Sequence, residues 1–364
     1  MILDVLEKIG RKGLFCVDPE TAHGLSIKVL KAGFPVAKSP HHDPRLRTTV
    51  AGVTFGNPLG MAAGYDKNAE VPDALLTLGF GFAEVGTVTP LPQSGNPKPR
   101  IFRLAEDGAV INRLGFNNEG HDAAERRLAA RAWRAGVVGV NIGANKDSAD
   151  RIGDYALGVE RFAPFASYLT VNISSPNTPG LRDMQARASL SELLSRVVTA
   201  RDSAIAKAGH QVPLFLKIAP DLHQADLEDI AAEVLEKQVE GVIVSNTTIS
   251  RPALKSSAHK AETGGLSGRP LFERSTVALA RMRKLLGPDA ALIGVGGVDS
   301  VDSALEKIRA GADLVQLYTG MIYAGPTLPG RIVQGFSKFL DKERISSLSE
   351  IRDSRVVHWA DRSL

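Results

Sequence analysis

Cysteine is nearly missing from this 364-residue chain. With Cys16 alone, neither an internal disulfide nor a cysteine metal cluster is available, which fits a reducing compartment, and no metal site is expected. Aromatic residues make up only 5% of the sequence and no basic stripe interleaves with them, so nucleic acid is not implied. The formal charge of +4 reflects 44 basic against 40 acidic residues, without a long basic block. No apolar run approaches the ~20 residues of a spanning helix. Met1-Ile-Leu-Asp4 carries an acid where a secretory signal is basic. The expectation is a protein made and kept inside the cell that does not cross a membrane. What is plentiful is apolar content, 43%, enough to bury a large core as one barrel-sized domain or two smaller ones.

Residues 1 to about 40 stand apart from the pattern that follows. Ile2, Val5, Leu6 and Ile9 have the spacing of one apolar helix face, ending at Gly10 and Gly13. A second helix begins at Asp18-Pro19-Glu20, an N-cap, a first-turn proline and an early acid, and ends near Gly33 and Pro35. Its apolar residues, Ala22, Leu25, Ile27, Val29, Leu30, Ala32 and Phe34, cover more than half its circumference, wider than one docking face requires. Two readings stay open: a helical hairpin packed on the main domain, or a slot for an apolar ligand with His23 as its polar handle.

From Val50 onward apolar strands alternate with helical segments, the signature of parallel βα units. Eight strands are expected at Leu59 to Ala63, Phe82 to Val88, Val137 to Ile142, Tyr168 to Ile173, Leu214 to Ile218, Gly241 to Val244, Ala291 to Val295 and Leu314 to Leu317. Helices are expected at Asp73 to Leu78, Glu119 to Arg134, Ser189 to Ala208, Leu227 to Lys237, Glu273 to Leu286 and Ser303 to Arg309. The count predicts an α/β fold, a (β/α)8 TIM barrel with an N-terminal two-helix extension. Arg47 to Phe55 reads as a hairpin before the first barrel strand. Ile101 to Leu104 and Ala109 to Ile111 read as two further strands, and the glycine-rich Ser250 to Gly268 reads as a mobile segment. The domain reading is 1–44 for the helical extension, 45–340 for the barrel and 341–364 for a polar tail.

Catalytic groups of such a barrel come from the C-terminal strand ends. Here those ends carry small residues, amides, hydroxyls and two lysines: Ala62 to Lys67, Gly86-Thr87, Asn141 to Gly143, Asn172 to Asn177, Lys217, Ser245-Asn-Thr247, Gly294 to Gly297 and Tyr318-Thr-Gly320. Gly296, Gly297, Tyr318, Thr319 and Gly320 follow strands seven and eight, where barrels often hold phosphate on backbone N–H groups. Lys217 lies within an apolar strand, where an unpaired ammonium is costly and a bound anion offsets the cost. Lys67 is either a ligand for a carboxylate or half of a local ion pair with Asp66. Amide side chains, donor and acceptor at once, suit the edge of a polar ring.

Together, Ala62-Ala-Gly-Tyr-Asp-Lys-Asn68, Asn112-Arg-Leu-Gly-Phe-Asn117, Asn172-Ile-Ser-Ser-Pro-Asn177, Ser245-Asn-Thr247, Gly264-Gly-Leu-Ser-Gly268 and Val295-Gly-Gly297 resemble the dihydroorotate dehydrogenase family, and within it the class 2, quinone-dependent branch. The two-helix extension is similar to that of class 2. The resemblance implies FMN, oxidation of (S)-dihydroorotate to orotate in pyrimidine biosynthesis, and a quinone as second substrate. It assigns FMN contacts to Ala62, Ala63, Gly64, Tyr65, Asp66, Thr87, Asn141, Asn172, Lys217, Ser245, Gly268, Gly297, Tyr318 and Thr319. Substrate contacts fall on Lys67, Asn112, Arg113, Leu114, Gly115, Phe116, Asn172, Asn177, Asn246 and Thr247. Ser175 takes the base position that is cysteine in class 1, and Tyr65 stands where many relatives are more apolar. Ser175 is expected to take a proton from C5 while hydride passes from C6 to flavin N5, with Lys217 near N1 and O2, Thr178 and a water relaying the proton, and Phe116 closing the site. The implied partners are dihydroorotate, orotate, a membrane quinone and an anionic membrane surface met by Lys8, Arg11 and Lys12. The expected form is a monomer, peripheral on the cytoplasmic face of a bacterial inner membrane. Two alternatives are a soluble fumarate- or NAD-linked relative, and a barrel that binds a phosphorylated ligand without redox chemistry.

Overall fold

The computed structural model describes residue 10 and residues 13–34 and 40–363. The helix expected on Ile2, Val5, Leu6 and Ile9 lies outside the described residues, as do Lys8, Arg11 and Lys12. The second helix, α1 (Pro19–Lys31), starts as its sequence predicts: the Asp18 side chain accepts from the Thr21 N–H at 2.9 Å, and Pro19 fills the first turn, where no backbone donor is needed. Its wide apolar arc is divided. Ala22, Ile27 and Leu30 are buried against the barrel, whereas Leu25 and Val29 stay partly open.

A hairpin of β1 (Thr48–Val50) and β2 (Val53–Phe55) precedes the barrel, as expected. Eight parallel strands then close on themselves: β3 (Leu59–Met61), β4 (Phe82–Val88), β7 (Val137–Ile142), β8 (Tyr168–Asn172), β9 (Leu214–Ile218), β10 (Gly241–Val244), β12 (Ala291–Val295) and β13 (Leu314–Leu317). Each was legible because a strand buried on both faces reads as a continuous apolar run. The hairpin plugs the N-terminal end. Phe55 stacks edge-on to Phe82, and Tyr168 links Phe82 to Phe215 across the interior. Glycines on adjacent strands make room for these rings: a Cβ on Gly60 would lie 2.3 Å from Phe82, and one on Gly139 would lie 2.1 Å from Tyr168.

The helices around the barrel are α2 (Pro72–Thr77), α3 (Gly120–Ala130), α4 (Arg151–Phe162), α5 (Arg187–Ala208), α6 (Gln224–Glu236), α7 (Phe272–Leu286), α8 (Val301–Arg309), α9 (Thr319–Ala324) and α10 (Leu328–Glu343). Of these, α4, α9 and α10 lie outside the expected set. In α4, Gly153 and Gly158 weaken the helical signal, yet Gly158 is where Ile142 packs, 2.5 Å from where a Cβ would stand. The stretch beyond 341 is more than a polar tail. It ends in α11 (Val356–Ala360), which docks on α7 through buried Val356, Trp359 and Ala360.

The insertion strands β5 (Ile101–Leu104) and β6 (Ala109–Asn112) pair as expected, but a third strand joins them. Gly265 to Gly268, the end of the glycine-rich stretch, is β11 (Gly265–Gly268), antiparallel to β6. That segment is therefore anchored in a three-stranded sheet, which stands over the C-terminal mouth of the barrel.

Candidate active site

One cavity of about 710 Å³ runs from the C-terminal mouth of the barrel to α1. Of the residues assigned from the resemblance, most line it: Ala62, Ala63, Gly64, Tyr65, Lys67, Thr87, Asn112, Leu114, Gly115, Phe116, Asn172, Ser175, Asn177, Lys217, Ser245, Asn246, Thr247, Gly268, Gly297, Tyr318 and Thr319. Three stand outside its wall. Asp66 is buried and its carboxylate accepts the Glu70 and Val71 N–H groups at 2.8 Å, so it holds the approach to α2. Arg113 turns away to Glu262 at 2.7 Å and lies over the Phe102 ring. Asn141 lies one layer below, accepting from Thr87 Oγ1 at 2.5 Å and from Asn172 Nδ2 at 3.1 Å. Thr178 is likewise buried behind the wall.

That lower layer is a polar floor which strand-end inspection did not find. Glu84, fully buried on β4, accepts from Asn141 Nδ2 at 2.7 Å, Gln316 Nε2 at 2.7 Å and Tyr168 OH at 3.0 Å. Buried carboxylates persist when such donors replace water. The floor fixes Thr87 and Asn172 from beneath: Asn172 Nδ2 donates to Thr87 Oγ1 at 3.0 Å, and its carbonyl accepts from Tyr155 OH at 2.7 Å. The only hint in the sequence is an acid inside an otherwise apolar strand.

Above the floor, four amides converge. Asn177 Nδ2 donates to Asn112 Oδ1 at 3.3 Å, joining a strand-end loop to β6, and Asn246 Nδ2 donates to Ser174 Oγ at 3.0 Å. Ser175 Oγ accepts the Asn177 N–H at 3.2 Å. Arg182, unforeseen from the sequence, ties the two loops together by donating to the Ser174 carbonyl at 3.1 Å and the Thr247 carbonyl at 2.9 Å while pairing with Asp221.

Two lysines carry the positive charge. Lys217 is buried and has no hydrogen-bond or ion-pair partner among the described residues. Burial pushes its ammonium below the ordinary lysine value, and the charge of Glu84 pulls it partly back. Lys67 is pushed down to about 8, chiefly by burial, while Glu20 opposes the shift. It forms no ion pair with Asp66; its neighbour is His23 Nε2 at 3.5 Å. His23 is held down to about 3 by burial and by that cation, so it is neutral at physiological pH. Its Nδ1 lies 3.3 Å from Tyr318 OH, and its ring meets Tyr65 edge-on. Tyr65 OH pairs in turn with Ser26 Oγ of α1 at 3.0 Å. Apolar Leu14, Phe15, Leu25 and Val29 line the outer end.

A purely structural rim has no use for an unpaired buried ammonium beside a ring of amides. The fold and this mouth define a parallel (β/α)8 barrel with a cationic, amide-lined pocket at the C-terminal strand ends. The sequence profile described as dihydroorotate dehydrogenase matches residues 45–340. The chain is 70% identical over 362 residues to the dihydroorotate dehydrogenase (quinone) of Mesorhizobium japonicum, covering 100% of both, and 65% identical to that of Rhizobium rhizogenes, covering 98% of both. A crystal structure of DHODH from Eimeria tenella in complex with ferulenol superposes with a TM-score of 0.87 at 42% identity, covering 92% of this chain and 95% of that one. The chain belongs to the dihydroorotate dehydrogenase family of flavin-dependent oxidoreductases, with its relatives in the quinone-dependent branch.

Proposed function

We propose that this chain oxidises (S)-dihydroorotate to orotate on FMN and passes the electrons to a quinone, in pyrimidine biosynthesis. The observation that carries the reading is the single cavity joining the amide-lined barrel mouth to the apolar end at α1, with both lysines in its wall. The residues fit FMN. Lys217 is a buried cation in need of an anion, and Gly297, Thr319 and Gly320 bring backbone to the cavity after β12 and β13, where the first N–H groups of α9 have no partner within the helix. Bound FMN supplies the two-electron redox chemistry.

The chain's own residues do the rest. Lys67 meets the substrate carboxylate, and Asn112, Asn172, Asn177 and Asn246 match the alternating N–H and C=O groups of its ring. Ser175 Oγ takes the C5 proton. Serine is a weak base, so its own hydroxyl proton leaves as the C5 proton arrives; the Asn177 N–H at 3.2 Å holds the oxygen in place and stabilises the alkoxide character left by the departing proton. Phe116, in the wall beside Gly115, excludes water. Thr178 is buried nearby and takes the role of outward proton acceptor. At the far end, neutral His23 with Tyr318 and Tyr65 offers a hydrogen-bonding head for the quinone.

No helix among the described residues is long and apolar enough to cross a membrane. Leu25, Val29 and Phe34, exposed at the α1 end, support a peripheral contact through which a lipid-soluble quinone enters, on the cytoplasmic face of a bacterial inner membrane. The test is anaerobic: dihydroorotate is added to the purified, FMN-loaded protein, flavin absorbance is followed, and a quinone analogue is then added. Bleaching followed by recovery is expected. Bleaching without recovery would sink the quinone assignment, and no bleaching would return the non-redox phosphate-binding barrel.

A further inference from the structure

Lys307, on α8, is fully buried behind the cavity wall, and the chemistry assigned so far makes no use of it. Its Nζ donates to Ser275 Oγ at 2.7 Å, reaches the Val295 carbonyl at 3.5 Å, and lies 5.1 Å from the centre of the Phe272 ring. No carboxylate lies within ion-pair distance among the described residues, and burial alone drives its ammonium well below the ordinary lysine value. A buried cation without a counter-ion is unfavourable, because nothing replaces the water it has lost. Its surroundings should therefore lead to an anion.

They lead to the loop after β12. The Ser275 hydroxyl is 3.2 Å from the Gly296 carbonyl and 3.1 Å from that of Phe272. Two successive carbonyls, those of Val295 and Gly296, thus face the Lys307–Ser275 side, the first also accepting the Ser245 N–H. A trans peptide points its N–H opposite to its C=O. The N–H groups of Gly296 and Gly297 are accordingly aimed the other way, and both residues line the cavity. Only glycine holds this shape comfortably: φ is +108° and +74° at the two positions, and a Cβ on Gly297 would lie 2.4 Å from that of Phe272. Paired N–H groups in such a turn make an anion-binding concavity.

We propose that Lys307, acting through Ser275, is a positioning residue for the phosphate end of the flavin nucleotide. It holds the Val295 and Gly296 carbonyls inward so that the two following N–H groups present to the phosphate, and its charge supports the dianion from behind the loop. This rests on the FMN reading above.

FMN and riboflavin differ only in the phosphate, so the pair isolates the effect. Full-length protein freed of flavin is titrated with each, following quenching of flavin fluorescence, for the parent, Lys307→Met and Ser275→Ala. The expected result is FMN affinity at least tenfold weaker in Lys307→Met and a smaller loss in Ser275→Ala, with riboflavin affinity within twofold of the parent in both. Equal weakening of both flavins would make Lys307 merely structural and overturn the proposal, as would unchanged FMN affinity. If Lys307→Met does not fold, as judged by far-ultraviolet circular dichroism, Ser275→Ala decides on the same criterion. A parent that binds neither flavin removes the FMN reading, and the proposal with it; a parent that binds both equally removes the proposal alone.

Discussion

At the residue scale, each candidate group does one thing that can be removed. Replacing Ser175 by Ala deletes the proton acceptor while leaving the wall intact, so flavin reduction by dihydroorotate should slow by about 10²–10⁴-fold with FMN still bound; stopped-flow reduction at an unchanged rate would take Ser175 out of the chemistry. Lys67 allows a pH test. Its ammonium is charged below its value of about 8 and neutral above it, so attraction for the substrate carboxylate is present at pH 7 and lost as pH rises. The KM for dihydroorotate should climb above pH 8, and in Lys67→Met it should be high and flat across the same range. A KM that rises equally in both proteins would assign the titration elsewhere.

At the element scale, a two-pronged ion pair is one of the contacts that fasten α1. Glu20 meets Arg100 Nε at 3.0 Å and Nη2 at 2.7 Å, while Arg100 also donates to the carbonyls of Ser94 and Asn96. A buried arginine that loses its carboxylate keeps the desolvation cost without the compensation. Glu20→Gln should therefore loosen α1 while leaving the barrel mouth whole. The KM for a quinone should rise several-fold with the rate of flavin reduction at saturating dihydroorotate unchanged, and a slowing of flavin reduction that matches the loss of quinone affinity would deny the separation of the two ends of the cavity. At the other end of the chain, Trp359 packs edge-on to Phe272 and its indole N–H donates to Glu306 at 2.6 Å. Trp359→Ala should cost about 3–5 kcal/mol, read from urea unfolding midpoints. A loss below about 1 kcal/mol would mean that α11 is only loosely docked.

At the scale of the whole molecule, buried neutral histidines couple stability to acidity. His121 is fully buried against Phe162 with neither ring nitrogen hydrogen-bonded, and burial together with Arg161 pushes it down to about 4. A group with a depressed folded value binds fewer protons folded than unfolded. Stability from keeping it neutral is thus complete above the unfolded value near 6.5 and falls as pH drops toward about 4, by up to about 3 kcal/mol. His23, held down to about 3, adds to the slope in the same direction. His121→Leu should flatten the fall measured by urea unfolding between pH 7 and 5, and an unaltered slope would show that His121 does not govern it. At the same scale, the three-stranded sheet and α1 flank the barrel mouth, giving a polar floor and an apolar exit in one enclosure.

The barrel was legible in the sequence, because strands buried on both faces must be apolar throughout, and so was most of the cavity wall, because polar and small residues at strand ends break that rule. It could not separate side chains that share a strand end but point differently. Asp66 and Lys67 are neighbours, yet one holds the approach to α2 and the other enters the cavity. Asn141 looked like a wall residue and is part of the floor beneath it. Glu84, Arg182 and Lys307 went unnoticed because their partners, Tyr168, Gln316, Thr247 and Ser275 among them, lie tens to hundreds of residues away along the chain. Hydrogen-bond geometry between remote segments exists only once the barrel has closed, so it took the tertiary structure to show which polar groups face the cavity and which hold one another.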